Sequence, residues 1–185
     1  MPVWWDVPDT VLGGVVTTQF VLARSRVFAI AVRGIVAYPT GFSFEMVVVA
    51  REGKELPDSP HLPGMGSRHE ESEDGFRFCL QLADGTKVVA DPLARYFDGD
   101  RSQRPDLEGM SEMEKPPRPF LSNSGSGGGT SLKWHTGYWA APLPPPGPLG
   151  FVVEWLKAGL TETAVTIEAD LILNAAATAT SIWSP

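Results

Sequence analysis

The sequence predicts an all-β protein, an antiparallel two-sheet β-sandwich of immunoglobulin-like or jelly-roll-like kind, with long acidic loops and a short C-terminal helix. Three observations carry this. Most apolar segments alternate with period two, the signature of a strand with one buried face. Turn residues separate these segments, and no run of alternating strand and helix units appears. Charge is segregated as well. Arg51 to Asp74 holds seven acids against three bases, and Asp91 to Arg118 holds seven against five, so −6 of the total −7 sits in two stretches. Both are rich in Pro, Gly, Ser and Asp and have no steady apolar period, so they read as solvated excursions. At 185 residues, 43% hydrophobic and 20% charged, the chain has the size and composition of one folded domain. We therefore read residues 1–185 as one sandwich, with an acidic loop over 52–75 and an acidic, then Gly/Ser-rich loop over 91–131.

The elements follow in order. Val16, Thr18, Phe20 and Leu22 share one face of a first strand, which turns at Arg24-Ser25-Arg26. A second strand runs from Val27 to Tyr38 with Phe28, Ile30 and Val32 on one side, and Gly34 inside it marks a bulge. Pro39-Thr40-Gly41 is a turn, with Pro fixing φ and Gly permitting a positive one. A third strand sends Phe42, Phe44, Met46 and Val48 inward, which completes a meander. Beyond the first acidic loop, Phe76, Phe78, Leu80 and Leu82 alternate with Arg77, Cys79 and Gln81. Asp84-Gly85, the strongest hairpin signal in the chain, leads into Lys87 to Ala90. Later strands are Leu132 to Ala140, Leu149 to Trp155, and a last one from Ala164 through Val165, Ile167 and Ala169. Leu171, Ala175 and Ala179 then keep a helical spacing, and alanine favours a helix of about ten residues. The alternative is that the alternation continues to Leu173.

Composition excludes several classes of function. A pI near 4.9 opposes binding to phosphate backbones, so nucleic acid is not an expected partner. No apolar run approaches the roughly 18–20 residues of a membrane span. The opening MPVWWDVPDT has two acids and no base, which is unlike a secretory leader. A single cysteine, Cys79, offers no internal disulfide and suits a cytoplasmic location.

Candidate chemical motifs fall short one by one. The glycines of Gly125 to Gly129 lack the Lys and following helix of a phosphate loop. Ser124 stands where a nucleophile elbow around Ser126 needs glycine, which leaves a flexible linker. A calcium loop begun at Asp98, with Asp100 and Asp106 near by, meets Gln103 and Gly109 where Gly and Glu are required. His69 to Glu73 resembles HExxH but ends in Glu, in a stretch that does not read as helix. His61, His69 and His135 are thus taken as surface histidines, and no metal or cofactor is expected. Cys79 has no immediate basic neighbour and reads as an inert, half-buried thiol. Glu45, Glu154 and Glu168 lie in strands and read as solvent-face carboxylates.

Aromatic residues are more informative. KWHTGYW places Trp134 and Tyr138 on one strand face and His135 and Trp139 on the other. One face must be core. The other then forms an exposed platform for a flat ligand such as a sugar, unless another segment covers it. Pro142 to Gly150, PLPPPGPLG, favours polyproline II and connects two strands. It reads as a stiff crossing between sheets, and its PxxP spacing, with Pro144 and Pro145, is the alternative docking element. Trp4 and Trp5, and likewise Trp183, serve either as staples to the body or as docking handles.

The tract PLPPPGPLGFVVEW from Pro142 to Trp155, with the Ala-rich tail ending at Trp183, resembles a group of uncharacterised actinobacterial small all-β proteins. Tyr38-Pro39-Thr40-Gly41-Phe42 and Ala83-Asp84-Gly85 add to the likeness. The resemblance implies the strand architecture and carries no activity. The leading expectation is a non-enzymatic cytoplasmic sandwich that binds a partner protein or forms a homo-oligomer through its edges. The alternatives are a carbohydrate-type binder using the aromatic platform, and a hydrolase-like enzyme using glutamates or histidines.

Overall fold

Period-two patterning becomes strands throughout the computed structural model, which describes residues 6–56, 75–90 and 119–183, the side chains of 124–126 excepted. Its strands are β1 (Val11–Leu12), β2 (Gly14–Val15), β3 (Phe20–Arg24), β4 (Phe28–Tyr38), β5 (Gly41–Ala50), β6 (Phe76–Gln81) and β7 (Lys87–Val89). They continue as β8 (Phe120–Gly129), β9 (Lys133–Ala141), β10 (Pro148–Trp155), β11 (Leu160–Glu168) and β12 (Thr180–Ser181); among the described residues there is also a short 3-10 helix, Leu156–Ala158, and one α-helix, α1 (Asp170–Ala177), before the last strand. The acidic stretches 57–74 and 91–118, Trp4 and Trp5 lie outside the described residues.

Two antiparallel sheets face each other. One has the order β2-β4-β5-β9-β8, with β3 also paired to β4, and the other has the order β11-β10-β6-β7. Phe28, Ile30, Val32, Phe42, Phe44, Met46 and Val48 line the inner face of the first. Phe78, Leu80, Leu149, Phe151 and Val153 line that of the second. Between them the rings of Phe44, Tyr138, Phe78 and Phe151 form one cluster. Phe44 stacks on Tyr138 at 5.3 Å and meets Phe151 edge-on at 5.3 Å. Interleaving of the two inner faces is what removes the apolar surface from water.

Gly34 does mark a bulge, with φ +61 and a register shift between Arg33 and Val36. The bulge shifts the alternation of β4 by one residue, so that Val32 and Ile35 both face inward. Gly41 serves a different purpose from the one expected. It has no positive φ and belongs to β5, and a Cβ there would stand 2.3 Å from the Ala140 carbonyl oxygen. Close approach of β9, not turn geometry, requires glycine. The Ala83-Asp84-Gly85 loop behaves as a hairpin, with Gly85 at φ 85 and the Leu82 N–H bonded to the Thr86 carbonyl.

Some expectations need correction. The Gly/Ser-rich stretch read as a linker within 91–131 is largely strand, because β8 spans Phe120–Gly129 and pairs with β9. Glycines 127 and 129 stand where a Cβ would press on the β9 backbone, so this edge strand is glycine-rich for close packing. The last long strand starts at Leu160 rather than Ala164. α1 buries Ile172, Ala175 and Ala176, while Leu171 is exposed, so the burial stripe is rotated from the one expected. The lateral edges are also less open than expected. Ala90 bridges to Leu121 between the β7 and β8 sides, and β3 lies beside β11. Among the described residues no helix is long and apolar enough to cross a membrane.

Candidate functional site

β9 carries the residues that drew attention in the sequence, and its register separates them as the alternation predicts. Trp134 and Tyr138 face the core, and burial pushes the Tyr138 hydroxyl far above its usual range. On the outer face, Trp139 is 0% exposed. Its ring is met edge-on by Tyr38 at 5.8 Å, and a Cβ on Gly41 would stand 2.8 Å from it. Three of the four residues read as a platform are therefore closed to a flat ligand. Only His135 remains accessible, with a side chain 41% exposed.

His135 belongs to a cluster that no local motif announces. Glu45 on β5 stands opposite Arg33 on β4, a pairing set by the Gly34 bulge. Arg33 Nε donates to Glu45 Oε2, and His135 Nδ1 lies 3.0 Å from Glu45 Oε1. The Arg33 hydrogen bond, against some desolvation, holds the Glu45 carboxyl below its usual range. The pairing of a carboxylate with an imidazole resembles part of a catalytic set. Here it lies on an open sheet face, and the described residues hold no group of three metal-ligating side chains. Through these contacts the Glu45 carboxylate ties β4, β5 and β9 together on the outer face of the sheet. Only the Arg33–Glu45 opposition could have been read from the sequence, had the bulge been placed to the residue.

The proline tract crosses from β9 to β10, from one sheet to the other. Pro144 is buried and Pro145 exposed, so the strap turns one side of its PxxP spacing into the body. Under it lies an apolar cavity of about 60 Å³ bounded by Phe42, Leu80, Val88, Phe120, Leu143 and Pro144. A cavity of roughly 150 Å³ is what holds benzene, so this one is a packing gap at the mouth of the sandwich. The strap is a structural crossing, and Pro144 is not available to a partner. Cys79 is half-buried, and burial pushes its thiol up, which agrees with an unreactive group.

One further surface is apolar and exposed. β1 pairs with β12 as a separate two-stranded ribbon, with Leu12 opposite Thr180. The Ile182 N–H bonds to the Thr10 carbonyl, which places Leu12 and Ile182 on one face of the ribbon. Leu12 is 64% exposed and the adjoining Trp183 80%. Gly13 and Gly14 connect the ribbon to the body. At Gly14 a Cβ would stand 1.8 Å from the Ala175 carbonyl oxygen, so α1 rests directly on the backbone there. Of the proposed handles, Trp183 is thus the described tryptophan left in solvent. Comparison with known proteins finds no matching family model, no similar curated protein and no similar solved structure.

Proposed function

We propose that this is a non-enzymatic assembly protein whose copies associate through the β1–β12 ribbon. The observation that supports this reading is the exposure of three large apolar side chains, Leu12, Ile182 and Trp183, on and beside a ribbon of only two short strands. An isolated two-stranded ribbon is marginal in water, and each of its strands has one unpaired edge. A second copy related by a two-fold axis extends the ribbon and covers the same side chains on both partners. The lone, unpaired thiol of Cys79 favours a reducing, cytoplasmic setting for it. The platform reading loses its support once Trp134, Tyr138 and Trp139 are buried.

Light scattering over a concentration series tests the proposal. The expected result is a concentration-dependent dimer that reverts to monomer in the double variant Ile182→Ser, Trp183→Ala. A strict monomer at every concentration, or a dimer indifferent to both substitutions, refutes it.

A further inference from the structure

The outer face of the six-stranded sheet differs from that of the four-stranded one. On the four-stranded sheet the cations are already paired, Arg77 with Glu154 at 3.4 Å and Lys87 with Glu162 at 3.2 Å. On the six-stranded sheet the strand registers set out three rows. Arg24, Ala29, Val49 and Lys133 stand opposite one another across β3, β4, β5 and β9. Val21, Ala31, Val47 and His135 form the next row, and Arg33 and Glu45 the third. At ordinary strand and residue spacings this patch measures about 14 Å by 13 Å.

Its middle is apolar: Val21 and Val49 are exposed over a third or more of their surface, Ala29 and Ala31 between them are half-buried, and Val47 is buried, so Val21 and Val49 are the apolar side chains it offers. Its rim carries Arg24, Arg33 and Lys133 against the single carboxylate of Glu45, a balance of +2 with His135 neutral. That carboxylate is already held by Arg33 and His135, while Arg24 and Lys133 have no ion-pair partner among the described residues. The following loop, 51–56, has Arg51 and Lys54 against Glu52 and Glu55 and leaves the balance unchanged. A cation-rimmed apolar strip on a chain of net charge −7 is a local inversion of sign.

We propose that this face docks an acidic segment of a partner protein, with apolar side chains on the valine strip and carboxylates near Arg24 and Lys133. Charge complementarity identifies the occupant. An apolar partner without acids leaves the rim cations unmatched, and a purely anionic one leaves the strip uncovered. The small area implies a weak, rapidly exchanging contact.

The test uses the full chain and a short fluorescein-labelled peptide with a central Leu-Leu pair flanked by Glu and Asp. Two control peptides replace the acids with Lys, or the leucines with Ser. Saturable binding of the first peptide is expected, weakened at least about tenfold in the double variant Arg24→Glu, Lys133→Glu and by raised salt. Both substituted positions are exposed, so circular dichroism of the variant should match the parent. No saturable binding overturns the proposal, as does equal binding of the Lys peptide. Equal binding of the Ser peptide or of duplex DNA reduces the face to a plain cationic surface and also overturns it. Trp183→Ala should leave peptide binding unchanged, which separates this face from the assembly ribbon.

Discussion

Trp139 separates a ligand platform from a structural ring, because the two roles make opposite demands on stability. The perturbation is Trp139→Ala. A tryptophan this size removes about 150–250 Å² from water, and at about 25 cal/mol per Å² that amounts to roughly 4–6 kcal/mol for the whole side chain. Measured truncations of buried Phe and Trp lie at about 3–5 kcal/mol, so the two routes agree. Full burial, the Tyr38 edge contact and the Gly41 backbone against the ring leave little room for collapse onto the gap. For a domain of this length each kcal/mol moves Tm by about 2–4 °C, so a fall of about 6–20 °C is expected. Thermal melts and urea titrations followed by circular dichroism read this, with the urea slope unchanged. Trp139→Phe should recover part of the loss, because it keeps a ring against Tyr38. A loss below about 1 kcal/mol is the magnitude of an ordinary surface change. That result would mean the ring is open to solvent and would restore the platform reading.

Other expectations follow from single contacts. Gly14→Ala drives a Cβ into the Ala175 carbonyl and should cost about 3 kcal/mol by displacing α1, read as lost helical signal alongside a lower Tm. Glu45 has its carboxyl lowered in the folded protein, first by the Arg33 hydrogen bond. Its contribution is therefore present above the unfolded carboxylate range, near pH 4.3, and is lost as pH falls through the lower folded value. Stability measured from pH 6 to pH 3 should fall less steeply in Glu45→Gln, by a small amount since the pair is partly exposed and screened. Equal slopes would remove the ion pair from the account. The Cys79 thiol, raised by burial, should react with a disulfide reagent at pH 7.5 at least about tenfold more slowly than in urea-unfolded chain, and equal rates would contradict its half-buried placement.

The alternation of Phe28, Ile30 and Val32, and of Phe42, Phe44, Met46 and Val48, was sufficient for the sandwich. A strand with one apolar face has few ways to bury it other than against a second sheet. The proline strap was legible for a related reason, since proline cannot supply the donors of a central strand and so falls between strands. β8 was not legible. Its glycines carry no alternation, and their place in the sheet follows from how closely the β9 backbone approaches, which is a property of two segments together. The short β1, β2 and β12 are too brief for any period to show.

Local pattern thus determines which side of a strand is greasy, because side-chain direction alternates within one segment. It told correctly that Trp134 and Tyr138 oppose His135 and Trp139, but not that the outward Trp139 would be covered. Coverage depends on Tyr38 at the end of β4 and Gly41 at the start of β5, brought beside β9 by sheet order. The Arg33–Glu45–His135 cluster and the cation-rimmed strip have the same origin. Their members come from three or four strands, and only the hydrogen-bonded registers, shifted by one residue at Gly34, bring them side by side.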